Sequence, residues 1–588
     1  MSAGRIAIGP AAWRMACFAL AAAVAAVPPA RSQGASASAP ALWRSVLPDA
    51  VGWFGEAGRA GWISTSGLGL GFPPVVAGHA RGGWRVIDPE RAPEGGPFPG
   101  LFPVLPPLVG YDSLAVEPGR APSTQGPSGA LAVLRPVSDA ARAAGRPLAT
   151  FALTNGDFGL DETSLTARRG GDLGRVHLEA LSAGHGQAGP YGDAGRHRWG
   201  AGLGRRFGAH DVSASFRQAG LAARLRAGEE QASRGASGRV AWNWERPVVQ
   251  MDLALERQWD AREGFGGTLE PRSRRDAQEV RLSGGVGRRS GTRTYGARVD
   301  WHRGLVRRDG IAGFEAYGGD DWGRVFFSDE APGRRMALEL GAGRIGAVDA
   351  IEYAPGARID WQSGGRRFEL WSQRQLTPVW HDLAPGERGF LQNTWVAGAG
   401  AAAAGSAAGG ALRVLAGRTG DRALLARLPL EEQWLRAGHS RDREAWNFGQ
   451  VWGEASVRRG GATLGAEACG LLRDAGAVQG RVDPALTARV FGQWERRIFG
   501  GDLGVRVRLE GDAVGQRFTD EAAPRPLSGY VTGNAALGLE IGDATITLRV
   551  RRLENGAYEE VWIDGTTGAP ARGTPRELRV AVAWSLKN

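Results

Sequence analysis

From about Pro147 to the end of the chain, apolar and polar residues alternate one for one. Leu503, Val505, Val507 and Leu509 are interleaved with Gly504, Arg506, Arg508 and Glu510; Ile546, Leu548 and Val550 are interleaved with Thr545, Thr547, Arg549 and Arg551. Every second residue from Leu578 to Leu586 is apolar, and the same period recurs at Val176/Leu178/Ala180, Met251/Leu253/Leu255, Tyr295/Ala297/Val299/Trp301 and Met336/Leu338/Leu340. A period of two is the spacing of side chains on one face of a β-strand, so these segments predict strands with one apolar and one charged face.

Two architectures can use such strands. In a soluble sandwich the charged face meets water and the apolar face a core. In a membrane barrel the apolar face meets lipid and the charged face lines the interior. The barrel is favoured because segments recur roughly every 20 residues, the length of a spanning strand plus its connection. No run of core-forming helices is available to cover so many strands, and closure removes the open edges of a long antiparallel sheet. The fold class predicted is therefore mainly β, a transmembrane antiparallel β-barrel of about 22 strands, with 16 to 20 as the alternative. Tryptophans at strand ends (Trp242, Trp301, Trp361, Trp371, Trp452, Trp584) suit an interfacial girdle, with ordinary core tryptophans as the alternative.

Composition agrees. The 588 residues include 92 Gly and 21 Trp, which suits strands and tight turns better than helices. The formal charge is +11, carried by arginines dispersed along the alternating segments, with Lys587 the only lysine. Dispersal argues against a nucleic-acid partner; arginines facing a water-filled lumen, or meeting lipopolysaccharide phosphates at a rim, account for the charge.

Residues 1–30 read as a secretory signal, with Arg5 and Arg14 ahead of an apolar core from Met15 to Val27. Val24-Ala25-Ala26 and Ala35-Ser36-Ala37 offer cleavage points. The core is shorter than the roughly 20 residues of a spanning helix. Cys17 lies inside it without a lipobox, and the mature chain keeps only Cys469, so no intrachain disulfide is expected. Residues 31–41 are small and polar and read as a disordered linker.

Between linker and barrel, Leu114 to Pro136 combines a strand-like run (Leu114, Val116), a turn-rich stretch and a second apolar run (Ala130 to Leu134). With Glu117, Gly119, Arg120, Pro122, Gly126 and Gly129, it resembles the end of the plug domain of TonB-dependent outer-membrane receptors. Upstream segments agree in order and approximate spacing: Leu42 to Gly52 with its Pro48-Asp49-Ala50-Val51 turn, Ile63 to Gly69, Arg85-Val86-Ile87-Asp88-Pro89, and Leu105-Pro106-Pro107. At the other end, Arg552-Leu553-Glu554-Asn555, Tyr558, Pro575-Arg576 and the last strand resemble the family's closing segment. The departures are Ser64 and Thr65 where the family has arginine, few residues ahead of Leu42, no recognisable TonB box in residues 31–41, and no terminal Phe after Trp584.

The resemblance implies a shortened plug at residues 42–140 inside the lumen of a barrel at residues 145–588. It implies a receptor or transporter in the outer membrane of a Gram-negative-type bacterium that captures a scarce solute at the outer face. The partners it implies are outer-membrane lipid and lipopolysaccharide, a TonB-type energy-transducing protein, a small solute ligand of unknown identity, and the barrel-assembly machinery. The missing TonB box and plug front keep a passive porin-like channel or structural barrel as the alternative. A secreted all-β binding protein is the third reading.

Nothing selects catalysis. The two G-x-G-x-x-G strings, Gly184 to Gly189 and Gly341 to Gly346, are what a chain this rich in glycine produces by chance, and neither opens a helix. His177, His185, His197 and His210 share one stretch without metal-ligand spacing; if the strands pair as hairpins, His177 and His197 could approach each other. Asp320-Asp321, Glu431-Glu432 and Glu559-Glu560 read as exposed loop charges. There is no G-x-S-x-G elbow. No catalytic residue, cofactor or metal site is assigned, and the residues that hold the ligand are unknown.

Overall fold

The computed structural model describes residues 148 to 587 apart from single residues and segments in the connections, the longest being 421–445. Upstream it describes only Trp62–Ile63, Val75–Val76, Arg85–Val86, Tyr111–Val116 and Val133–Ser138. Twenty-two antiparallel strands form one closed barrel. The first, Leu148–Gly156, pairs with the last, Glu577–Lys587, from Gly156↔Arg579 to Leu148↔Lys587. Asp157 extends this closing seam by accepting a hydrogen bond from the Leu578 backbone N–H at 2.8 Å.

The connections alternate in length. Strands Tyr191–Phe207 and His210–Leu225, or Arg334–Ile345 and its predecessor Phe314–Ala331, are joined by two residues; the opposite ends carry connections such as 515–529 and 552–576. At the turn between Ala350–Ser363 and Arg366–Val379, Gly364 and Gly365 take φ of 56° and 79°, the paired left-handed conformation that a two-residue hairpin demands. Both the first strand's start and the last strand's end lie on this short-turn side. Membrane barrels place short turns on the periplasmic side and long loops outside.

Burial is inverted relative to a soluble protein. Leu178, Leu253, Val299, Leu340 and Leu509 project outward and are exposed, whereas Glu179, Asp300, Arg489 and Arg579 project inward and are buried. An apolar exterior with a charged interior is what a membrane-spanning barrel requires, because lipid hides carbon and the lumen holds water. The period-two segments of the sequence all map to this outer face.

The tryptophan girdle needs correction. Trp301 and Trp584 are outward and exposed, and Trp199, Trp395 and Trp494 join them. Trp371 and Trp452 are buried instead, because they share the inward parity of Glu369 and Gln450 on their strands. The indole of Trp371 lies across Gly398 of the next strand, where a Cβ would sit 2.4 Å from Cζ2. Asp320-Asp321 is likewise no loop pair. It lies within Phe314–Ala331, with Asp320 buried and Asp321 bonded to Arg303.

Upstream, Tyr111–Val116 pairs antiparallel with Val133–Ser138, whose Val133 and Leu134 also pair parallel with Arg85–Val86. The two-strand reading of this stretch holds, with the second strand starting later than expected and running through Pro136.

Candidate functional site: the charged wall of the lumen

Neighbouring strands lie about 4.8 Å apart, so side chains on next-but-one strands are separated by about 10 Å and ordinarily cannot meet. Among the described residues, three rows in the body of the wall and a fourth at its short-turn rim carry a glycine on the strand between, which removes the obstacle. In the body of the wall, Glu179 and Arg217 both pair in register with Gly200, Asp252 and Arg298 with Gly285, and Glu369 and Arg413 with Gly400. In each row the carboxylate lies flat over the glycine and accepts a hydrogen bond from the arginine beyond, with Arg217 Nε 3.2 Å from Glu179 Oε1 and Arg413 Nε 2.8 Å from Glu369 Oε1. A Cβ on Gly200, Gly285 or Gly400 would stand 2.9, 2.7 or 2.6 Å from the respective carboxylate oxygen. Each row therefore requires all three residues.

The rows with glutamate are reinforced along the wall. Arg198 Nε donates to Glu179 Oε1 at 3.0 Å, and Arg358 bridges Glu369 Oε2 and Asp360 at 2.7 Å. Two arginines per buried glutamate leave little unsatisfied charge, the condition under which buried ions are tolerated.

Near the closing seam, several inward arginines gather around Glu577 among the described residues. Glu577 is fully buried, bonded by Arg579 and approached by Arg551 Nη1 at 3.8 Å, with Arg549 on the same inward face. Asp512 accepts from Arg489 and from Asn534 Nδ2. Toward the long loops, Tyr530 and Tyr558 stack with centroids 4.4 Å apart. Arg517 lies over both rings, 5.0 and 6.0 Å from their centroids, and Arg552 lies 4.5 Å over Tyr558 while hydrogen-bonding its hydroxyl. Arg517 also donates to the Glu559 carbonyl. Arg517 belongs to the connection after Leu503–Val514, and Tyr558 and Glu559 to the one after Ala544–Arg551, so this cation–π stack pins two long loops together.

Guanidinium groups offer planar pairs of donors matched to carboxylates, phosphates and similar oxyanions. Inward arginines near the loop-side mouth supply chemistry of the kind that binds an anionic solute.

The plug residues Glu117, Gly119, Arg120, Pro122, Gly126 and Gly129 lie outside the described residues; the strands on either side of them are the pair described above. His177 and His197 do not meet. His177 faces inward, its Nε2 3.6 Å from Glu179 Oε2, whereas His197 has the outward parity of Trp199 and is exposed. Among the described residues no three metal-ligating side chains converge. Gly341 and Gly343 of the second glycine string lie within Arg334–Ile345, where Gly341 accommodates the indole of Trp322. The rows themselves were out of reach of sequence reading, because their members are 13 to 46 residues apart and only register brings them together.

Geometry of this kind defines a closed 22-stranded barrel with an apolar exterior and a charged interior, and solved structures share its fold. The FrpB iron transporter from Neisseria meningitidis superposes with a TM-score of 0.74 at 10% identity, over 93% of this chain and 98% of that one. The copper transporter OprC gives 0.74 at 12% identity over 92% and 99%. The siderophore receptor PirA from Acinetobacter baumannii gives 0.70 at 8% over 92% and 96%. No protein-family model and no curated protein matches the sequence. The fold is that of the TonB-dependent outer-membrane receptors which the sequence resembles.

Proposed function

We propose that this protein is an outer-membrane transporter that captures a scarce solute at its loop-side mouth and admits it through a lumen sealed by residues 42–140. The observation that carries this reading is the closed 22-stranded barrel with a charged interior, in the fold shared with iron, copper and siderophore transport proteins. By that likeness the cargo is a metal ion or a metal chelate, and the inward guanidinium groups near the seam suit one with anionic oxygen donors. A TonB-type protein supplies the pull on the sealing domain, reaching it from the periplasmic side, where membrane barrels carry their short turns.

Uptake tests this directly. Cells lacking their own receptors and expressing this chain should accumulate a radiolabelled ferric chelate, and lose the uptake when the energy-transducing protein is deleted. Uptake indifferent to that deletion would instead identify a passive channel.

A further inference from the structure

Arginine doublets recur beside the short turns: Arg205-Arg206, Arg288-Arg289, Arg458-Arg459 and Arg496-Arg497. Within a strand, consecutive side chains must point to opposite faces, so each doublet sends one guanidinium inward and one outward. Arg497, facing inward, bonds Glu540 at 3.1 Å, and Arg206 donates to the Gly208 carbonyl at 3.3 Å. Arg205, Arg288, Arg459 and Arg496 share the parity of the lipid-facing Leu203, Val286, Val457 and Trp494, and all four are exposed. None of these four forms an ion pair among the described residues; Arg205 rests 4.7 Å over the ring of Phe207. All four sit at the short-turn end of the barrel, within the last residues of their strands.

A cation at the edge of an apolar belt, without a protein carboxylate, is placed to meet lipid headgroups: its stem stays with the acyl chains and its fork reaches the phosphate level. We propose that these outward arginines form a ring of docking points for the phosphates of anionic phospholipids in the leaflet on the short-turn side. This rests on the membrane-spanning reading above. It places phosphate recognition at the rim opposite the one that would meet lipopolysaccharide. Arginine surpasses lysine here because a fork can hold two phosphate oxygens at once.

The test uses the full chain in nanodiscs of equal phosphatidylglycerol and phosphatidylcholine, released into mild detergent, with retained lipid counted by native mass spectrometry. The wild type should retain phosphatidylglycerol in several-fold excess. The outward variant R205Q/R288Q/R459Q/R496Q should lose that excess, and the inward variant R206Q/R289Q/R458Q/R497Q, with the same charge removed from the same rim, should keep it. Replacing the outward four by lysine should leave an intermediate excess. Equal retention of the two lipids by the wild type, equal loss in the outward and inward variants, or displacement of phosphatidylglycerol by added lipopolysaccharide would each overturn the proposal. Because the wild-type ratio alone decides the first of these, a variant that fails to fold does not shield it. A chain that enters no bilayer at all would instead refute the transporter reading.

Discussion

Two stretches of the same wall handle buried charge in opposite ways. Around Glu369 each carboxylate is bracketed by arginines on both sides, Arg413 across Gly400 and Arg358 along the wall. Around Glu577 several arginines crowd one carboxylate, and further arginines lie over tyrosines that tie two long loops together. The first stretch is internally balanced and holds the sheet in register. The second stands at the long-loop end, the side from which the proposed solute would enter. Arginine thus holds neighbouring strands in register in the first stretch and ties connections together in the second.

The comparison is broken most severely at Glu577. Glu577→Ala leaves Arg551 and Arg579 without their shared counter-ion, and breaking a buried pair in this way costs about 3–5 kcal/mol. Urea unfolding of the refolded barrel in micelles should show that loss, with less of the heat-modifiable form on gels. A loss comparable to that of a surface variant would mean that water reaches the seam freely.

Gly400→Ala tests the balanced stretch. Its new Cβ meets the Glu369 oxygen at 2.6 Å while that carboxylate is held between two arginines, so the expected loss is about 1–3 kcal/mol. Gly238→Ala, with open space beyond 3.9 Å, should be almost silent in the same assay. If both behave alike, the glycines are not spacers for ion pairs.

The smallest effect belongs to Arg497→Gln. Its partner Glu540 also lies across a glycine, Gly504, but the pair sits at the exposed short-turn rim. Such pairs are worth no more than about 1 kcal/mol, and the effect should vanish in high salt, whereas that of Gly400→Ala should not.

Much of the fold was legible because a barrel wall repeats one signal. Val176/Leu178/Ala180 and Met251/Leu253/Leu255 announce the lipid face directly, and the observed 22 strands agree with the count of about 22 alternating segments, for which 16 to 20 was the alternative. Trp371 misled because a large apolar ring fits the inner face once Gly398 on the next strand makes room, and Trp452 because the small Cys469 and Ala411 let an indole pack there. Asp320-Asp321 misled because a charged doublet in a strand divides between lumen and exterior, which looks like loop sequence until the strand is paired. The site was far less legible. Glu179, Gly200 and Arg217 carry no local motif, and their meaning comes from register alone. The same is true of Arg517 and Tyr558, which come from different connections.

The central claim, a wide lumen sealed by its own amino-terminal domain, is tested most directly by single-channel conductance of the refolded protein with and without residues 42–140. The account predicts that the full chain stays closed and the shortened one opens a large, steady pore. Equal conductance from both forms would contradict it and leave a passive channel as the better description.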